Sequence, residues 1–204
     1  MKVDRCQVEL EPFQSLIKPT CSSCKPRYLH NEMQKTEIEW TKPTWSPQQA
    51  VTMKSETGRI VSDFMKLAIE EAKIGLREGG IPIGSVLVRD GRVIARGHNM
   101  RVQENDPILH AEIDCLRKAG RIGSYDGTTI YSTLMPCYLC AGAIVQFAIR
   151  KVIAGESENF TGGRRFMEEH GVEVIDLNVD ECKELMRAFI KTNPKLWNED
   201  IGKL

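Results

Sequence analysis

Two short motifs hold the side chains best suited to chemistry: His110-Ala111-Glu112 and, further along, Pro136-Cys137-Tyr138-Leu139-Cys140. One imidazole and two thiolates fill three positions of a tetrahedral zinc ion and leave the fourth for water. A carboxylate beside the first ligand can take that water's proton. Such a set is equipment for hydrolysis. Each half alone is weak, because a Cys-x-x-Cys also serves as a redox pair or a structural metal site, and a lone His-x-Glu specifies nothing. Their joint occurrence in this order, with a proline before the first cysteine, is what gives the pair its force.

The spacing dictates the elements that must carry them. Cysteines three positions apart lie nearly on one side of a helical turn, so a helix opening near Pro136 aims both sulfurs at one point, and its positive end favours the thiolates that zinc requires. Residues two apart in a helix diverge by about 200°, so His110 and Glu112 share a cavity only at a helix start. There the imidazole holds metal, and the carboxylate reaches over it as a proton carrier rather than a ligand.

The rest of the chain supplies a plausible scaffold. Its 204 residues, 41% hydrophobic, can bury one sizeable core, and no apolar run is long enough to cross a membrane. Lys+Arg and Asp+Glu balance at 28 each, which argues against a nucleic-acid partner and for a small neutral substrate. Seven cysteines, with no secretory signal ahead of them, point to a reducing cytoplasmic setting, the nucleus being open to a eukaryotic chain. Residues 1–57, with Pro12, Pro19, Pro26, Pro43 and Pro47 and no sustained period, read as a poorly structured N-terminal extension ahead of a catalytic domain over 58–204. Cys21, Cys24 and His30, with Cys6 as a fourth donor, offer a second metal site there. The competing expectation is that the extension is dispensable and translation starts at Met53.

From Ile60, apolar residues at Val61, Phe64, Met65, Ala68, Ile69 and Ala72 predict a helix ending between Gly75 and Gly80. Strands over Ile83–Val88 and Val93–Ala95 flank Asp90-Gly91, a strong hairpin signal. A helix from His110 to Ala119, a strand over Thr129–Thr133 and a buried helix from Cys137 to Ala148 follow. Strands over Lys151–Ala154 and Glu173–Ile175 come next, then an amphipathic helix through Cys182 and Phe189 before Pro194. This alternation predicts an α/β fold, a three-layer α/β/α sandwich whose central mixed sheet has about five strands, with an antiparallel hairpin and later strands parallel through helical crossovers.

The two motifs resemble those of the cytidine deaminase superfamily, whose zinc enzymes place His-x-Glu and Pro-Cys-x-x-Cys in these roles. The pattern is similar in particular to fungal-type cytosine deaminases, which act on the free base. The likeness runs from about Asp63 to Gly202. It includes Glu78-Gly79-Gly80-Ile81-Pro82-Ile83-Gly84, Gly97-His98-Asn99-Met100-Arg101, Gly155-Glu156, Asn159-Phe160 and the tail Trp197-Asn198-Glu199-Asp200-Ile201-Gly202, which is the discriminating part. The resemblance implies one zinc ion on His110, Cys137 and Cys140, with Glu112 as the catalytic proton shuttle. It also implies a substrate held by Asn99, Ala111 and Asp200 between Ile83, Phe160 and Trp197. The reaction is then deamination of cytosine to uracil and ammonia in pyrimidine salvage, by a homodimer with no membrane partner.

The family pattern usually has glycine at Ala111, serine at Met135 and an aromatic at Asn198, so these departures bear on substrate fit. Two rival functions stay open on sequence: a deaminase of the same fold acting on guanine, a nucleoside or tRNA adenosine, and a non-catalytic interaction module that zinc merely stabilises. His98 and His170 read as structural and surface residues, and Cys115 and Cys182 as buried apolar ones.

Overall fold

A computed structural model of the protein describes residues 63–203. The extension, its cysteines, Met53, and Ile60 and Val61 of the first predicted helix lie outside the described residues. Helix α1 spans 63–77. Strands β1 (Gly84–Arg89) and β2 (Arg92–His98) form the predicted hairpin, and Asp90 and Gly91 at its turn both take positive φ, 51° and 70°, as a tight two-residue turn requires.

A single turn, α2 (Arg101–Glu104), leads to α3 (Ala111–Ala119), β3 (Thr128–Ser132), α4 (Tyr138–Gln146) and β4 (Lys151–Ala154). Then come α5 (Arg164–Glu169), β5 (Glu173–Asp176), α6 (Asp180–Thr192) and α7 (Pro194–Asp200). The sheet order is β2-β1-β3-β4-β5. β1 is antiparallel to both neighbours, and β3, β4 and β5 are mutually parallel.

Alternating residues on the central strands separate the two faces. Leu87, Ile130 and Val152 point into the cluster formed with α3, α4 and α5, while Val86, Tyr131 and Ile153 point into the one formed with α1 and α6. That is the predicted three-layer sandwich.

Sequence signals for α2, α5 and α7 were too short or ambiguous to identify them as helices. In particular, Pro194 reads as the stop of the preceding helix, yet it occupies the first turn of α7, where its missing N–H costs nothing.

The site lies where the carboxyl ends of β2 and β3 meet the amino end of β1, the usual position for ligands on such a sheet. Gly97 makes the approach possible: a Cβ there would stand 2.5 Å from the backbone nitrogen of Cys115, so α3 can rest directly on β2.

Candidate active site

Each half of the donor set sits at the mouth of a helix. His110 is the N-cap of α3, with extended backbone at φ −69° and ψ 167°, and Cys137 is the N-cap of α4 at φ −70° and ψ 174°. Cys140 is the third residue of α4, and an N-cap side chain and one three positions on face each other. Glu112, in the first turn of α3, is buried. The spacing argument therefore holds at both helix starts.

Donor atoms of His110, Cys137 and Cys140 all lie within 4.8 Å of one another, and Nδ1 of His110 is 3.3 Å from Sγ of Cys137. A tetrahedral zinc ion wants its nitrogen and sulfur ligands about 3.5–3.8 Å apart, so the three fit one ion with little adjustment. Among the described residues the cluster ends at three, leaving a coordination position open.

The electrostatics favour a cation. A hydrogen bond from the Cys140 thiol, opposed by burial and aided by His110, holds the Cys137 thiol down to about 4. Cys140, as the donor in a buried place, is pushed well above the usual thiol value. Burial works against a charged His110, but the bond to Cys137 and the negative charges of Asp200, Cys137 and Glu112 outweigh it and raise the imidazole. Burial, then the charge of Cys137, raises Glu112, against the pull of a hydrogen bond from Ser132 Oγ to its Oε1 at 2.7 Å.

A cavity of about 20 Å³ adjoins the donors, lined by Ile83, His110, Glu112, Leu134, Met135, Cys137, Phe160 and Asp200. Six of the ten residues singled out from sequence are in that wall. The other four adjoin it. Cys140 completes the donor cluster, Ala111 is buried beside Ile83 and Leu134, and Trp197 packs edge-on against Phe160 at 6.0 Å and 87°. Asn99 is fully buried and sends its Nδ2 toward Asp200 Oδ1 at 3.5 Å.

Of the three departures from the family pattern, Ala111 keeps its place beside the donors and Met135 lines the cavity. Asn198 is exposed on α7 and touches no part of it. Sequence reasoning missed Ser132, which holds Glu112, and Arg101, which pairs with Asp200 at 2.7 Å. His98 proves to be a buried bridge, its ring nitrogens 2.9 Å from Glu71 and 3.0 Å from Glu78. As expected, His170 is exposed at the end of α5, and Cys115 and Cys182 are buried.

An α/β/α sheet bearing a three-donor metal site, an open coordination position and a buried carboxylate defines a metal-dependent hydrolytic enzyme. Residues 59–156 match the family described as the cytidine and deoxycytidylate deaminase zinc-binding region. The chain is 46% identical over 141 residues to a cytosine deaminase of Candida albicans, covering 68% of this chain and 94% of that one. It is 37% identical over 142 residues to a tRNA-specific adenosine deaminase of Bacillus subtilis, covering 63% and 87%. A solved structure from a study of A-to-I editing by tRNA:A34 deaminases superposes with a TM-score of 0.55 at 36% identity, covering 61% of this chain and 99% of that one. The chain belongs to the zinc-dependent cytidine and deoxycytidylate deaminase family.

Proposed function

We propose that residues 58–204 form a cytosine deaminase domain, converting cytosine and water to uracil and ammonia, with one zinc ion on His110, Cys137 and Cys140. The observation that carries this reading is the place of α7 against the cavity. Asp200, on that helix, lines the cavity beside Asn99 and His110, so the polar groups there converge as the recognition of a small free base requires. The identity to the Candida albicans cytosine deaminase supports the same choice.

A zinc ion held there supplies the Lewis acid beside which water ionises near neutral pH. Glu112 takes one proton from the water as its oxygen adds to C4 and delivers it to ring N3. It then takes a second from the new C4 hydroxyl and passes it to the departing amine as the C–N bond breaks, the C4 carbonyl forms and ammonia leaves. Burial raises Glu112 above the ordinary carboxylate value, which suits a group that must both accept and return protons. Asn99 and the Ala111 N–H bind the amide face of the ring, Asp200 takes its polar edge, and Ile83 and Phe160 wall it, with Trp197 bracing Phe160.

A second reading, a tRNA adenosine deaminase, draws on the 37% identity to the Bacillus subtilis relative. Against a zinc-stabilised binding module stands the missing fourth donor among the described residues. Ammonia release from cytosine, guanine, cytidine and a tRNA anticodon stem, on protein of measured zinc content, separates these readings. Cytosine is expected to lead in kcat/KM by about 100-fold or more, and a higher value for any other substrate overturns the proposal.

We also propose a cytoplasmic homodimer. No helix among the described residues is long and apolar enough to cross a membrane. Apart from the donor cavity lies an apolar groove of about 800 Å³, lined by residues that include Ile113 and Leu116 of α3, Ala143 of α4 and Phe147 just past the end of α4. Ile108 and Phe147 are 54% and 47% exposed there, and Asp106 shares the groove with Arg117 and Arg121, a mixed-charge patch that can pair with itself about a two-fold axis. Light scattering should give twice the chain mass and should give the monomer mass for Phe147→Asp.

A further inference from the structure

Arg101 is drawn into the site by four polar contacts to three separate segments. Its backbone N–H donates to Asn99 Oδ1 at 3.1 Å. Its guanidinium donates from Nε to the Pro107 carbonyl at 3.0 Å, from Nη1 to Asp200 Oδ1 at 2.7 Å and from Nη2 to Glu199 Oε1 at 3.3 Å. The Arg101 side chain is 9% exposed and that of Asp200 5%, so their ion pair is largely out of water.

We propose that Arg101 is a positioning residue that sets the orientation of both polar groups reading the substrate and latches α7 over the cavity. This rests on Asn99 and Asp200 having the substrate-binding roles given above.

The orientation follows from donor and acceptor logic. Because the Arg101 N–H must meet an acceptor, the Asn99 amide turns its oxygen to Arg101 and presents its NH₂ on the other side, toward Asp200. At Asp200, Arg101, Asn99 and His110 all converge on Oδ1. No partner among the described residues reaches Oδ2, and Asp200 lines the cavity. Holding one oxygen therefore leaves the other as the acceptor for a substrate N–H.

The latch follows from size. A cavity of about 20 Å³ has room for about one water. A base needs more room than this, and α7, which carries Asp200 of the cavity wall, is a seven-residue helix whose buried anchor is Trp197. The planar fork of Arg101 spans Asp200 and Glu199 on α7 and Pro107 at the entry to α3, which a single ammonium cannot reproduce.

The test compares wild type with Arg101→Lys and Arg101→Ala, each checked for one equivalent of zinc. Hydrogen exchange at the α7 amides is expected to quicken in both variants. KM for cytosine is expected to rise about tenfold or more with kcat equal or higher, because the groups at the metal are untouched. Guanidinium ion, below its denaturing range, should restore KM in Arg101→Ala. An Arg101→Lys enzyme that matches wild type overturns the proposal, as does a fall in kcat at constant KM or unchanged exchange in α7. The exchange measurement needs no substrate. If wild type fails to turn over cytosine, the substrate reading falls, while the latch is still judged by α7.

Discussion

Ser132 donates its hydroxyl to Oε1 of Glu112 at 2.7 Å, with both residues buried and 20 positions apart in sequence. The bond favours the carboxylate in a place where burial and the charge of Cys137 favour the acid. Removing it in Ser132→Ala should raise Glu112 further. The ionised base is then scarcer at a given pH, so the acidic limb of the kcat/KM profile moves to higher pH. A profile superimposable on wild type would show that the bond does not tune the base.

Glu112→Ala should keep one equivalent of zinc, because the three donor residues remain, and lose about 10²–10⁴ in kcat, the range for a removed general acid–base group. Zinc content is read by atomic absorption beside the steady-state rate. A loss under about tenfold with full zinc would rule out the proton-shuttle role.

Zinc removal should loosen the joint between the two helix starts. His110 caps α3 and Cys137 caps α4, so one ion ties two elements of the same face of the sheet. Chelation should lower the Tm by about 5 °C or more, restored by added zinc, in the range expected when a ligand bound only by the folded state is lost. An unchanged Tm in verified apo-protein would show that the fold does not depend on the ion.

Deleting residues 1–52 tests the boundary expected from the prolines and the absence of periodicity. If the catalytic domain begins near residue 58, the shortened chain should retain its Tm, its cytosine turnover and one equivalent of zinc. Two equivalents in the full chain and one in the shortened chain would instead assign a second site to the extension.

Much of this architecture was legible because it rests on local signals. Asp90-Gly91 announced its turn, and the Val-Ile pair of β4 its buried strand. The roughly 200° between side chains two apart on a helix confines His110 and Glu112 to a helix start, where both lie. What stayed hidden depends on distance along the chain. Arg101 meets Asp200 across 99 positions, and nothing in the neighbourhood of either residue encodes the pairing. The short helices failed for a related reason. α2 has one turn and no buried residue, and α5 buries only Met167, so neither shows a helical period.

His98 shows the same limit and yields the last prediction. Its position beside Asn99 gives no hint that Glu71 of α1 and Glu78, just past the end of that helix, meet its two ring nitrogens, since they lie 27 and 20 positions away. The bridge fastens the end of β2, and with it Asn99, to α1. Arg96 Nε lies 3.1 Å from Glu71 Oε1, near enough for charge but out of line for a hydrogen bond, so it only partly compensates Glu71 if the imidazole is lost. Glu78 is more exposed and can turn to water. His98→Phe, which keeps a planar ring, should therefore destabilise the domain by about 1–3 kcal/mol, mostly by leaving Glu71 short of a partner. In a denaturant-melt double-mutant cycle, adding Glu71→Gln to His98→Phe should cost less than Glu71→Gln costs in wild type. Strict additivity of the two changes would show that the bridge contributes nothing to holding β2 against α1.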